Sequence, residues 1–254
     1  EQSVLENTMI IVMADNGRPF PHSKTRVNDR GMKTPFIISW PERIKQRGAV
    51  CSSLISVVDI APTILELAGA KVDDSFQGYS FESLLDDPSA DFRNVVFAEH
   101  NWHDYEVHER MVRNKHFMYI LNSRPQFPNM GPADAISSPS HQDLVALKAN
   151  GRLTPIQTDV FVTPRPEEEL YDYRTDSLQL VNVASLPRYQ ETLEELRTVL
   201  KEWMRKTGDT IPANLTRDWY LREPGYKSTR YNKERGEMPG ERRDAVHIND
   251  KGFF

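Results

Sequence analysis

Apolar residues first gather in residues 8–14, TMIIVMA, a short unbroken run rich in β-branched side chains. The run lacks apolar–polar alternation, so it reads as a strand covered on both faces, as in a parallel sheet. Asp15-Asn16-Gly17 stops it. A loop rich in glycine, proline and charge (residues 17–34) leads to a second strand, residues 35–40 (PFIISW), closed by Pro41. Residues 55–69 then set Ile60, Ile64, Leu67 and Ala68 at helical spacing. Asp59 is the N-cap there, Pro62 sits in the first turn and Gly69 lies just past the end. Residues 78–85 read as a short helix and residues 95–99 as a strand.

From Met111 the texture changes. Residues 111–114 and 116–122 read as two short strands turning near Asn114-Lys115. Residues 123–163 are loop-like, with many prolines and serines and one helical stretch at 141–149. Residues 169–173 (ELYDY) are a short strand or the entry to a turn. The strongest periodic signal is at 187–206. Tyr189, Leu193, Leu196, Leu200, Trp203 and Met204 form one apolar stripe there, and Gly208 ends it. Beyond Ile211 the periodicity is lost, and nine Lys/Arg and seven Asp/Glu from Pro212 onward describe a polar tail or draped arm.

Composition narrows the class. The chain has 254 residues, enough for one sizeable core with a small satellite. Its 38% hydrophobic and 27% charged residues are ordinary for a globular protein. Mean hydropathy is -0.60 and no apolar run approaches the length of a membrane span. A net charge of -5 argues against a general nucleic-acid binder. The single cysteine, Cys51, excludes an internal disulfide framework and a multi-cysteine zinc site.

The chemistry concentrates after the first strand. Asp15 and Asn16 offer two hard oxygen ligands at a strand end, suited to Ca²⁺ or Mg²⁺, and Gly17 lets the backbone turn away. The same tripeptide is also an excellent turn sequence, so alone it decides nothing. A second cluster, Glu99-His100-Asn101-Trp102-His103-Asp104, follows the strand at 95–99. His100, His103 and Asp104 there are candidates to bind substrate, and Arg110 has the fork geometry to meet a carboxylate or sulfate. Histidines 100, 103 and 108 also allow a transition-metal reading, but their spacing suits one helix face poorly. Trp102, Tyr105 and Phe127 are candidates to stack on sugar rings, or equally for packing. Asn214-Leu215-Thr216 forms a glycosylation sequon in the polar tail.

The order DNGRPFPHSKT, then a glycine and PFIISWP, then DIAPTILELAG, closely resembles the type I sulfatases of the alkaline-phosphatase superfamily. Within them it is most similar to the sulfamidase (N-sulfoglucosamine sulfohydrolase) branch. Downstream, ELYDYRTDSLQLVNVA is similar to that family's C-terminal signature. The resemblance runs from about Thr8 to Gly208. It implies an α/β chain in three parts. Residues 1–108 form the back half of an alkaline-phosphatase-like mixed-sheet α/β domain. Residues 109–211 form a small antiparallel β-sheet plus helix subdomain, and residues 212–254 the tail or arm.

The resemblance also implies roles. Asp15 and Asn16 take the positions of two calcium ligands, and Lys24 that of the basic residue that contacts sulfate. A cation and an ammonium aimed at the sulfate oxygens suit sulfuryl transfer, which builds negative charge there. His103 and Asp104 align with a His–acidic pair lining the sugar pocket. The family nucleophile is a formylglycine made within C/S-x-P-x-R. Cys51-Ser-Ser-Leu-Ile does not match it, and Ser137-Ser138-Pro139-Ser140-His141 has histidine where arginine is needed. The resemblance puts that motif, two further acidic calcium ligands and a catalytic lysine and histidine upstream of Glu1. The expectation is therefore an enzyme whose N-terminal half lies elsewhere, and a chain that does not turn over substrate by itself. The expected substrate is a sulfated carbohydrate such as N- or O-sulfated glucosamine. A phosphoesterase of the same superfamily and a non-catalytic binder of sulfated glycans are the alternatives. Expected partners exclude nucleic acid; the oligomeric state is not legible, and the polar tail leaves open an arm onto a neighbouring subunit. A bacterial periplasmic or secreted location is favoured over the lysosome.

Overall fold

In the computed structural model, residues 4–103, 106–128, 131–213 and 237–248 are described. The elements run β1 (Ile10–Met13), α1 (Asp29–Met32), β2 (Phe36–Ser39), α2 (Ile60–Leu67), α3 (Glu82–Asp86), β3 (Val96–Trp102), β4 (Glu106–Arg113), β5 (Phe117–Asn122), α4 (Ala133–Ile136), α5 (Pro139–Ala149), α6 (Pro155–Thr158), β6 (Glu168–Asp172) and α7 (Gln190–Lys206). The described residues of Glu1–Asp15, Thr34–Val96 and Val246–Phe254 make one compact unit. Those of Asn16–Lys33 and Phe97–Ala245 make a second.

The first unit holds β1, β2, α2 and α3. Its strand pattern departs from the sequence expectation. β1 pairs with β2 antiparallel, Ile10 opposite Ser39 and Met13 opposite Phe36, rather than lying in a parallel sheet. Nor is β1 covered on both faces. Val12 and Ile37 sit opposite each other and are 53% and 59% exposed. Phe36 and Ile38 instead pack on Phe81, Leu84 and Leu85. Partner direction and cover come from neighbouring elements, which a uniformly apolar run does not encode. α2 starts where Asp59 predicts. The Asp59 carboxylate accepts from the Ser56 and Tyr79 backbone N–H groups (2.7 and 2.9 Å) and pairs with Arg93.

The second unit is built on a four-stranded sheet in the order β3-β4-β5-β6. The β4–β5 and β5–β6 pairs are antiparallel, giving the cross-strand rows Val112–Tyr119–Leu170 and Met111–Ile120–Glu169. Side chains alternate between faces along a strand, so these rows point opposite ways. The first row is completely buried, and α7 packs on β4 and β5 with Leu193, Leu196 and Leu200 at 3% exposure or less. Trp203 stacks on Phe97 at 5.0 Å between ring centres. The apolar stripe read from the sequence is thus the packed face of α7, which a 3-10 turn at Pro187–Tyr189 leads into. The other face carries Ala98, Met111, Met118, Ile120 and Tyr171, and Val27 from the loop Asn16–Lys33 is buried among them. One face of the sheet therefore holds α7 and the other holds the loop that bears Lys24.

Candidate functional site

The loop Asn16–Lys33 is closed by a backbone clasp. The Gly17 N–H donates to the Gly31 carbonyl at 2.8 Å. A Cβ on Gly17 would lie 2.0 Å from the Arg30 carbonyl oxygen, and one on Gly31 would lie 2.0 Å from that of Arg26. Both glycines are demanded by this approach. Inside the clasp the Lys24 N–H donates to the Arg18 carbonyl (3.0 Å), and His22 and Thr25 adopt positive φ of 67° and 71°. Asn28 caps α1, its side chain accepting from the Gly31 N–H.

The rest of the unit anchors this loop. Asp29 Oδ1 accepts from Arg113 Nη1 (3.1 Å) and from the Tyr173 hydroxyl (2.8 Å), and the Asp29 N–H donates to Gln179 Oε1 (3.0 Å). Arg30 donates to His22 Nε2, so the ring proton sits on Nδ1, which faces the Asp159 carboxylate. Burial, reinforced by the charges of Arg26, Arg30 and Arg165, pushes His22 down to about 2, so the ring stays neutral. A cleft of about 110 Å³ beside Asp159, Arg165 and Tyr171 is well below the several hundred Å³ of an ordinary ligand pocket.

Lys24 Nζ donates to Asp134 Oδ2 at 2.9 Å, with side-chain exposures of 22% and 48%. Asp134 Oδ1 accepts from the Ala135 N–H at 2.9 Å. Burial pushes the Asp134 carboxyl up, but the Lys24 hydrogen bond and charge, the Ala135 N–H and the charge of His103 together hold it below the usual range. Lys24, Asp134 and His103, itself exposed at the end of β3, therefore share one electrostatic neighbourhood.

The remaining candidates lie elsewhere. Asp15 is exposed in the first unit, directly after β1. Asn16 opens the second, its Nδ2 donating to the Gly17 carbonyl at 2.6 Å. Among the described residues no group of three or more His, Cys, Asp or Glu is arranged to hold a metal. His100 is buried on the loop face, where its Nδ1 donates to Glu109 Oε2 at 3.1 Å. Glu109 also pairs with Arg165 (2.5 Å), and these partners outweigh burial and hold its carboxyl well below the ordinary range. Arg110 points to the α7 face with no exposed surface. Its Nε and Nη2 grip Asp209 at 2.6 and 2.8 Å, and Nη1 donates to the Glu109 carbonyl. The guanidinium expected to meet a substrate anion is thus committed to Asp209. His108 shares that face, 1% exposed, pushed down to about 4 chiefly by burial and then by Arg110. Asp104, Tyr105 and the sequon at Asn214 lie outside the described residues.

Sequence reasoning did not find Asp134, Asp29 or Asp159. Asp134 stands 110 positions from Lys24, and an acidic residue in the first turn of a short helix is an ordinary start signal. No local pattern marks it as a lysine partner.

Residues 22–122 match the family described as N-sulphoglucosamine sulphohydrolase, C-terminal. The chain is 37% identical over 217 residues to an ulvan-active sulfatase of Formosa agariphila, covering 85% of this chain and 35% of that protein. It is 30% identical over 222 residues to the human N-sulphoglucosamine sulphohydrolase, covering 82% of this chain and 44% of that protein. It therefore spans between a third and a half of the length of these relatives. A solved structure of a protein in complex with its substrate D-glucosamine-2-N,6-O-disulfate shares the fold, with TM-score 0.58 and 23% identity over 80% of this chain and 35% of that one. By these matches the chain is similar to sulfatases over about four fifths of its length, and its residues 22–122 are similar to the C-terminal domain of the N-sulphoglucosamine sulphohydrolase type.

Proposed function

We infer that this chain contributes the sulfate-binding lysine and part of the metal-ligand set to a hydrolase of sulfuric esters or sulfamates on a sulfated glycan. N- or O-sulfated glucosamine is the substrate class. The observation that carries this reading is Lys24, held on a clasped loop by an ion pair to Asp134. A fixed ammonium in a partly buried setting stabilises the charge that develops on sulfate oxygens more than a solvated one does. His103 supplies a hydrogen-bonding group at the mouth of the same neighbourhood, and Asp104 follows it in sequence as a second sugar-binding candidate.

Asp15 and Asn16 supply hard oxygens that fit Ca²⁺, or Mg²⁺ in a tighter set, as part of a larger donor set. When bound, such a cation draws negative charge toward the sulfate oxygens. The nucleophile of this reading is a formylglycine supplied by the N-terminal portion of the enzyme. A periplasmic or secreted location suits a glycan substrate. No helix among the described residues is long and apolar enough to cross a membrane.

The test is calorimetric titration of the chain with N-sulfated and 6-O-sulfated glucosamine at two ionic strengths. Binding is expected to weaken with salt and to vanish in Lys24→Ala. Unchanged affinity in that variant refutes the reading. Sulfate release with calcium is then assayed on any longer polypeptide found by intact-mass measurement to carry the formylglycine.

A further inference from the structure

Asp134 takes up one of the three N–H donors of Lys24, and its second oxygen is tied to the Ala135 backbone. The carboxylate is therefore fixed by its own helix, α4, and the ammonium is fixed by the carboxylate. An anion arriving at Lys24 meets two remaining donors in a set direction, with a negative charge standing close behind the ammonium. We propose that Asp134 is a positioning residue for Lys24. It orients the ammonium toward the sulfate and keeps the lysine's hold on free sulfate weak.

The proposal rests on the reading of Lys24 as the sulfate-binding group. Its physical content is a trade between two effects. A lysine without a counter-ion attracts any anion strongly but holds it in many geometries. A lysine paired with a carboxylate attracts less and aims better. Catalysis gains from the second arrangement, because affinity for the ground state or for the released sulfate product adds nothing to the rate. Asp134 is half exposed, so its substitution leaves the buried sheet untouched.

Two measurements test this, both on the chain as it stands. The first is the ¹⁵Nζ resonance of Lys24 in lysine-labelled protein, because an ion-paired ammonium exchanges its protons slowly enough to be seen. The signal is expected in the wild type and in Asp134→Glu, and is expected to be lost in Asp134→Asn and Asp134→Ser. The serine keeps an acceptor for the Ala135 N–H, so it separates loss of the lysine partner from loss of the helix start. The second is titration with inorganic sulfate. Asp134→Asn is expected to bind sulfate about two- to fivefold more tightly than wild type, the range of an exposed ion pair, with Asp134→Glu close to wild type. A merely structural role predicts the opposite sign, weaker sulfate binding together with a lowered melting temperature. Equal or weaker binding in Asp134→Asn at an unchanged melting temperature overturns the proposal while leaving Lys24 in place. If Lys24→Ala leaves sulfate affinity unaltered, the sulfatase site reading fails and the proposal fails with it.

Discussion

Replacing Asp209 with alanine is expected to destabilise the second unit by about 3–5 kcal/mol, the range for removing one partner of a buried ion pair. The structure sets that magnitude. Arg110 has no exposed surface, and the Asp209 side chain is 5% exposed. Two short hydrogen bonds, 2.6 and 2.8 Å, join them side by side. Without Asp209 the guanidinium keeps the Glu109 carbonyl and, at 3.6 Å, the half-exposed Glu99. Neither replaces a bidentate carboxylate. Urea denaturation at pH 7 is the assay. Asp209→Asn, which retains an acceptor of similar shape, is expected to cost about half as much. The double variant Arg110→Met with Asp209→Leu is expected to cost less than either single truncation, because no unpaired charge remains buried. The reasoning is refuted if Asp209→Ala costs under about 1 kcal/mol. It is equally refuted if Arg110→Met abolishes sulfated-sugar binding while the protein stays fully folded, for then Arg110 serves the ligand rather than the fold.

Gly17→Ala is expected to open the loop clasp, because the new methyl meets rigid backbone atoms of Arg30 and Gly31. A loss of about 2–4 kcal/mol from overpacking and the broken hydrogen bond, with loss of sulfate binding, should appear in melting and titration together. Leu200→Ala on α7 should cost about 2–5 kcal/mol in the same urea assay while leaving sulfate affinity unchanged. His22 and His108 are held neutral, with folded pKa values near 2 and 4 against about 6.5 unfolded. As pH falls below about 6.5 the unfolded chain takes up these protons first. Their contribution to stability is therefore complete above pH 6.5 and is lost toward pH 4 for His108, and further down for His22. The slope is about 1.4 kcal/mol per pH unit per histidine. His108→Gln should roughly halve the decline between pH 6 and 4.5, and a flat profile from pH 7 to 5 contradicts the assignment.

Much of the local structure was legible. The stripe from Leu193 to Trp203 gave α7, and the turn at Asn114-Lys115 gave the β4–β5 hairpin. Asp59 marked the start of α2. These signals are local, carried by residues within one or two turns of each other. The antiparallel pairing and the exposure of β1 were not legible, because they depend on which elements lie against it. Nor did the sequence reading anticipate that β3 runs on to Trp102, which turns the histidine cluster from a loop into a strand. Strand alternation then sends His100 to the loop face, while Arg110 turns to the α7 face. In the candidate site, the distance of Lys24 from Asp15-Asn16-Gly17 is what singled it out as a candidate. Its partner Asp134 and the anchors Asp29 and Asp159 are joined to it only by the fold.

The two-sided sheet of the second unit separates two kinds of selective pressure. On the α7 face, Val112, Tyr119, Leu170 and the Arg110–Asp209 pair interlock, so a change at one requires compensation at others. On the opposite face, Lys24 and Asp134 stand on segments tied down through other residues, Gly17, Val27 and Asp29 among them. If Lys24 is the sulfate-binding group, as proposed, ligand preference can drift by exchange of a few exposed side chains around it while the folding unit stays constant. If Lys24 binds sulfate as proposed, a library randomised at the exposed Arg18, Pro19, Phe20 and Ser137 is the place to look for altered ligand selectivity in a protein that still folds.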